Sequence, residues 1–265
     1  MDKLAEIMEW KRREVSLRSR PVSERELMKT GDRMRPRGTF REVLADPMEL
    51  AVIAEIKRKS PSAGTIAENV SAMEQSRAYF NAGVDALSIL TDEKFFGGNL
   101  EDLWEVNDFL CQHQLSLPTL RKDFIVDPIQ VLEAVEAGAS AILLIVRALD
   151  DEELKILRNS ADHAGLDCLY EIHTEEEIEK ALRHDPEILG VNNRDLRRFT
   201  TDLAITENLF PKIPDEILKV SESGILRPQD AWRVREAGAD AVLCGEALMR
   251  SNDPELFVNE MKHSD

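Results

Sequence analysis

"EAGASAILLI", residues 136–145, joins a charged helix end to an Ala-Gly turn and then to an unbroken apolar run. The glycine suits the left-handed position that closes a helix, and the run has the length and the all-apolar character of a parallel strand buried on both faces. The same order recurs in "NAGVDALSIL" (81–90) and "EAGADAVLCG" (236–245), with a weaker copy in "HAGLDCLYEI" (163–172). Helix end, turn and strand repeated along a chain predict alternating helices and parallel strands.

Working outward, further short apolar runs are "LAVIAEI" (50–56), "ALSILT" (86–91), "LPTLRK" (117–122), "AILLIV" (141–146), "CLYEI" (168–172), "ILGVNN" (188–193), "ILKVSES" (217–223) and "AVLCGE" (241–246). Charged segments such as "DDEELKILRNSADHA" and "TEEEIEKALRH" lie between them, with helical spacing and acidic first turns. Eight strand–helix units predict an α/β fold, a (β/α)8 barrel. Residues 1–46 precede the first strand and read as a helical N-terminal extension, with a turn at "RPRG" (35–38). No Ser- or Gly-rich linker interrupts the chain, so residues 1–265 are expected to form a single barrel domain with the extension packed on it.

Apolar residues make up 43% of the sequence and charged residues 32%, the profile of a globular protein. A formal charge of −17 would repel a polyphosphate backbone and so argues against nucleic-acid binding; a phosphate bound here must be held by local groups. The apolar run at 141–146 is far too short to cross a bilayer, and the N-terminus lacks a signal-peptide pattern, so no membrane association is expected and the location is expected to be cytoplasmic. Cys111, Cys168 and Cys244 read as reduced packing residues, and the five histidines show no metal-binding spacing. No metal is expected.

A barrel sets its reactive groups at the carboxyl ends of its strands. Glu55 and Lys57 end the first strand two residues apart and so point the same way, while Arg121 and Lys122 end the third. Glu171 ends the fifth, Asn192 and Asn193 the sixth, Ser221, Glu222 and Ser223 the seventh, and Gly245 and Glu246 the eighth. One lysine beside one carboxylate is most simply a solvated pair, but repetition at strand after strand favours a shared site. Lys122, beside apolar Phe124 and Ile125, is the leading general-acid candidate, and Glu171 a candidate base or electrostatic partner; rim or cross-mouth salt bridges are the plainer alternatives. "SESGI" and "CGEALMR" follow the seventh and eighth strands, where barrels often hold phosphate; turn formation by Gly224 and Gly245 is the bland reading. Ser60 lies in "KSPSAG", a loop shaped by Pro61 and Gly64 that could cover a ligand.

Together "IAEIKRKSPSAG", "LSILTDEKFFGG", "LRKDFIVDP", "AILLIV", "LYEIH", "GVNNRDL", "VSESGI" and "GEALMR" resemble, in order, the indole-3-glycerol phosphate synthase family from about residue 50 onward. The resemblance implies decarboxylating, dehydrating ring closure of 1-(2-carboxyphenylamino)-1-deoxyribulose 5-phosphate in tryptophan biosynthesis, without metal or organic cofactor. It implies that Lys122 is the general acid, Glu171 the base or stabiliser of a cationic intermediate, and Lys57 a second substrate-contacting lysine with Glu55 beside it. Asn192, Arg194, Glu222 and Ser223 match positions that orient substrate; Ser223, Gly224 and Gly245, with the backbone that runs on into Glu246, match the phosphate site; and Phe96, Phe124 and Leu143 match the apolar wall. A flat ring needs apolar surface and its carboxylate a cation, so the residue types agree. The rivals are another phosphosugar barrel that forms a Schiff base through Lys122 or Lys57, and a non-catalytic barrel that binds phosphorylated ligands. Association with other pathway enzymes is left open by the sequence.

Overall fold

The structure, a computed structural model, describes residues 3–34, 40–46, 48–60, 64–65, 70–194 and 200–263, without the side chains of Ser60 and Thr65. The expected turn at 35–38 and the Pro61–Ser62 part of the first loop lie outside the described residues.

Eight parallel strands close into a barrel: β1 (Ala51–Ile56), β2 (Ala86–Leu90), β3 (Thr119–Lys122), β4 (Ala141–Ile145), β5 (Asp167–Ile172), β6 (Ile188–Asn192), β7 (Leu218–Glu222) and β8 (Ala241–Cys244). Each pairs with its neighbours in sequence, and β1 closes the ring against β8 through Ala51↔Ala241 to Ala54↔Cys244. Every position of β1, β2 and β4 is buried, which is why these strands read as continuous apolar runs rather than alternating ones. The expected strands are each present: β1, β3 and β5 end where expected, at Ile56, Lys122 and Ile172, and the other five end one or two residues early. The repeated glycines sit at φ +78° (Gly83), +80° (Gly138) and +104° (Gly238), the left-handed turn the repeat required.

Helices α4 (Ala72–Asn81), α6 (Leu100–Gln112), α7 (Pro128–Glu136), α8 (Asp151–Ala164), α9 (Glu175–Leu182), α10 (Ala204–Leu209) and α11 (Pro228–Glu236) form the connections around the barrel, with the short α5 (Glu93–Phe96) leading into α6. Asp150 and Glu153 form a capping box at α8, satisfying backbone donors that an acidic first turn also favours. After β8 come the short α12 (Glu246–Arg250) and the terminal α13 (Pro254–Lys262).

The N-terminal extension consists of α1 (Lys3–Ser16), α2 (Glu24–Met34) and α3 (Phe40–Leu44). Leu4, Ile7, Met8, Val15, Leu27, Phe40 and Leu44 are all buried in the same core as the strands. A Cβ on Gly31 would lie 2.3 Å from the carbonyl oxygen of Ala164, so the absence of a side chain there lets α2 seat on the end of α8. At the other side Leu4 and Ile7 of α1 reach the barrel mouth.

Candidate active site

Side-chain alternation decides which strand-end residues enter the mouth. Lys122 points inward, and its neighbour Arg121 points outward into a buried network with Thr91, Asp123, the Gln130 carbonyl and Glu133. Asn192 lines the mouth. Asn193 is instead buried behind it, donating to Ser221 Oγ at 3.0 Å and to the carbonyls of Glu222 and Ser223 at 3.1 Å each. It also accepts from the Thr206 backbone and hydroxyl. Asn193 thereby braces the turn after β7, in which Ser223 at φ +64° and Gly224 at φ +91° are both left-handed. A non-glycine residue held there costs of the order of 1–3 kcal/mol, and such strain gathers at functional sites.

One cavity, open at the barrel mouth, is lined by Glu55, Lys57, Phe96, Lys122, Phe124, Leu143, Glu171, Asn192, Arg194 and Ser223, among others. A smaller one shares Glu55, Lys57, Arg194 and Ser223 and extends to Gly224, Gly245 and Glu246. Thus the expected site residues meet around one continuous mouth, apart from Ser60, whose side chain lies outside the described residues. Glu222 completes the ring through Lys122. Lys122 Nζ lies 2.5 Å from Glu222 Oε2 and 3.4 Å from Glu171 Oε2, and Lys57 pairs with Glu55. Glu246 turns to Arg250 at 3.2 Å on its own helix rather than to the lysines.

The three cations after β1 separate completely. Lys57 enters the mouth, Arg58 grips the Asp102 carboxylate with contacts of 2.5 and 2.6 Å, and Lys59 donates to the Lys94 carbonyl at 3.0 Å. The backbone of Lys59–Ser60 pairs antiparallel with Gly64–Thr65, which folds the loop back on itself.

Burial and charge oppose each other in this mouth. Burial works against charge on Lys122, yet Glu222, Glu171 and Glu55 outweigh it and raise its pKa above the ordinary lysine value, so the side chain is an ammonium. Burial raises Glu55 and Glu171, but Lys57 and Lys122 pull the first below the carboxylate norm, and Lys122, His173 and Asn192 the second. Glu222 goes the other way. Its own burial and the charge of Glu171 outweigh the attraction of Lys122 and push it up to about 7. Its Oε1 is buried without a hydrogen-bond partner, and the space it fills exists because residue 190 is glycine: a Cβ there would lie 2.1 Å from Oε1.

Sequence reasoning missed three features. Gly190 was readable, since a glycine inside a strand marks a close approach. The contribution of Lys3, Leu4 and Ile7 to the mouth carried no signal, because helix-face residues do not announce which neighbour they meet. Cys111 is exposed, correcting the expectation that all three cysteines pack inside; it sits at the end of α6, whose buried positions are Asp102, Leu103, Val106 and Leu110. Cys168 and Cys244 are buried, and burial pushes both thiols up to about 12, which makes them unreactive.

Cations and carboxylates converging at the carboxyl ends of a closed parallel barrel define a (β/α)8-barrel enzyme equipped for acid–base chemistry. The family model for indole-3-glycerol phosphate synthase matches residues 4–261, and the chain belongs to that family. Among curated relatives, the indole-3-glycerol phosphate synthase of Opitutus terrae is 54% identical over 263 residues, covering 98% of both chains. That of Oceanobacillus iheyensis is 41% identical, covering 98% of this chain and 96% of the relative. Among solved structures, thiamine phosphate pyrophosphorylase from Pyrococcus furiosus superposes with a TM-score of 0.59 at 15% identity, covering 84% of this chain and 96% of that one; at this distance the likeness is one of fold. Among the described residues no helix is long and apolar enough to cross a membrane, and no group of three or more His, Cys, Asp or Glu residues is placed to hold a metal ion.

Proposed function

We propose that this chain is an indole-3-glycerol phosphate synthase that carries out its chemistry at the mouth described above. The reaction converts 1-(2-carboxyphenylamino)-1-deoxyribulose 5-phosphate to indole-3-glycerol phosphate, carbon dioxide and water, a carboxy-lyase step of tryptophan biosynthesis. The ring carbon that bears the carboxylate attacks the ketone carbon, pushed by the amine lone pair, and the carbonyl oxygen becomes a hydroxyl by taking a proton. Loss of carbon dioxide returns its bonding pair to the ring. The hydroxyl then leaves as water after a second protonation, and removal of a proton from the adjacent methylene completes the indole.

The observation that carries this reading is the state and placement of Lys122. A buried ammonium faced by three carboxylates supplies the proton to the carbonyl oxygen, a contribution of typically 10²–10⁴-fold for a positioned acid. The same charge state argues against a Schiff-base route, which needs an uncharged amine as nucleophile. Glu171, held ionised 3.4 Å from Lys122, stabilises the cationic intermediate and accepts the methylene proton. Lys57, oriented by Glu55, meets the anthranilate carboxylate, and Asn192, Arg194, Glu222 and Ser223 orient the chain of the sugar. Phe96, Phe124 and Leu143 form the wall against which the ring lies; the two phenylalanine rings stand 6.0 Å apart with their planes at 37°. The turn at Ser223–Gly224 and the backbone at Gly245–Glu246 take the phosphate, with Ser60 closing over it.

We read residues 1–265 as one domain, because the extension shares the barrel core, and place the enzyme in the cytoplasm, where its phosphorylated substrate would be found. Incubation with the carboxyphenylamino substrate should produce indole fluorescence without added metal or cofactor. A purified, folded chain that yields no indole product sinks the assignment.

A further inference from the structure

Lys11 is a charged residue on α1 whose side chain is 1% exposed. Its Nζ lies 3.0 Å from Asp92 Oδ2, 3.0 Å from Asp123 Oδ1 and 3.2 Å from Glu14 Oε2. Asp92 and Asp123 follow β2 and β3, and each carboxylate also accepts from the backbone of the loop it begins. Asp92 Oδ1 accepts from Phe95 N at 2.7 Å and from Phe96 N at 3.3 Å. Asp123 Oδ1 accepts from Phe124 N at 2.8 Å, while its Oδ2 accepts from Thr91 Oγ1 at 2.7 Å and from Arg121 at 3.1 Å. Phe96 and Phe124 are the two rings that face each other across the apolar side of the mouth. One ammonium therefore sits between the two carboxylates whose other bonds fix the two aromatic wall residues.

We infer that Lys11 is a positioning residue for the ring-binding wall: by bridging Asp92 and Asp123 it sets the spacing of Phe96 and Phe124, and with it the slot that receives the anthranilate ring. This inference rests on the ring-closure reading above and adds a residue from the N-terminal extension to it. Two aspartates buried side by side repel, and without a cation between them the loops after β2 and β3 move apart or take up water. Burial opposes ionisation of Asp123, but Lys11 and Arg121 hold it down at about 2, so the cluster is charged throughout the working range of pH. The same helix brings Leu4 and Ile7 to the cavity, so the anchored α1 also contributes apolar surface beside the slot.

The effect belongs in substrate binding, with little on the proton transfers, because Lys122, Glu171 and Glu222 stand on β3, β5 and β7 and not on the two loops. Lys11→Met should raise KM for the carboxyphenylamino substrate by about tenfold or more while kcat stays within about threefold, the pattern of lost ring positioning with intact acid–base groups. The shift in melting temperature produced by inorganic phosphate should be the same in variant and wild type, because the turns after β7 and β8 are untouched. Since Lys11→Met leaves Asp92 without its cation and Asp123 with Arg121 alone, and can unfold the chain, the triple variant Lys11→Met, Asp92→Asn, Asp123→Asn provides the second test. Its amides still accept from the loop backbone, neither carboxylate that faced Lys11 is left buried, Arg121 keeps its ion pair with Glu133 at 3.1 Å, and KM should again rise by about tenfold. Either variant folded, with a lowered melting temperature but KM within about twofold of wild type, would reduce Lys11 to a structural ion pair and overturn the inference. A wild-type chain that forms no indole product would instead overturn the ring-closure reading.

Discussion

Replacing Gly190 by alanine tests the electrostatic heart of the site with a single methyl group that contacts no substrate. The added Cβ would lie 2.1 Å from Glu222 Oε1, and 3.1 Å from both Glu222 Cδ and Leu169 Cδ1. A carbon and an oxygen do not approach much below about 3 Å, so the carboxylate must withdraw by roughly 1 Å. Its short contact with Lys122, 2.5 Å in the native arrangement, cannot survive that displacement unchanged. A misplacement of about 1 Å in an active site costs on the order of 10²-fold in rate, and overpacking of a buried position costs about 1–3 kcal/mol of stability. For a chain of this size that loss lowers Tm by roughly 2–10 °C, leaving a folded protein to assay. Steady-state indole fluorescence should show kcat reduced by about a hundredfold. The decisive control is Glu222→Ala: with no carboxylate to displace, adding Gly190→Ala should change kcat by less than about threefold. Wild-type turnover in Gly190→Ala, or a full second loss in the Glu222→Ala background, would refute the claim that Gly190 exists to seat Glu222.

Lys122→Ala should lower kcat by roughly 10²–10⁴-fold with KM broadly unchanged, and wild-type turnover in that variant would remove Lys122 as the acid. Glu222 has its folded pKa raised to about 7 from an ordinary 4.5, so the folded state holds a proton that the unfolded chain releases between those values; this group therefore lowers stability as pH rises from 4.5 to 7. Glu55 and Glu171, with lowered values, act in the opposite sense and only as pH falls below 4.5, so Glu222→Gln should flatten the melting profile between pH 4.5 and 7, and an unchanged slope there would contradict the raised value. Gly224→Ala must carry a side chain at φ +91° with its Cβ 2.8 Å from Thr201 Cγ2, so KM should rise by about tenfold as the phosphate turn distorts, and an unaltered KM would detach that turn from binding.

The barrel was legible because its signals are local. A glycine that closes each helix and an apolar run that follows it need no knowledge of the partner strand, and eight such units admit few arrangements. The same periodicity delivered Glu55, Lys57, Lys122, Glu171 and Glu222 to the right end of the right strands. It did not tell Lys122 from Arg121, or Asn192 from Asn193, which are neighbours of the same chemical type pointing in opposite directions. Alternation fixes that choice only when one inward position is known, and at the polar end of a strand both faces can carry charge: Lys122 lines the mouth, Arg121 a buried network under α7. The state of the carboxylates was also beyond reach, since Glu171 and Glu222 differ in ionisation through who surrounds them and not through what they are.

The N-terminal helix shows the limit most clearly. In "MEWKRREV" every lysine and arginine has a glutamate three or four residues away, so the segment reads as a solvated, salt-bridged face, and Lys11 looks no different from Arg12 or Arg13. Its burial is decided by Asp92 and Asp123, more than 80 residues further along the chain, which present two carboxylates that could not both be buried without a cation between them. The demand for charge neutrality thus runs from the barrel to the helix: the loops that carry Phe96 and Phe124 need a counter-ion, and α1 supplies it from a position where the local sequence gives no reason for burial. A chain with a net charge of −17 solves the same problem again in the mouth that Asp123 also lines, where Lys57, Lys122 and Arg194 are concentrated. Sheltered from bulk water, those cations act on an anionic substrate at short range, where the excess negative charge on the outer surface is screened.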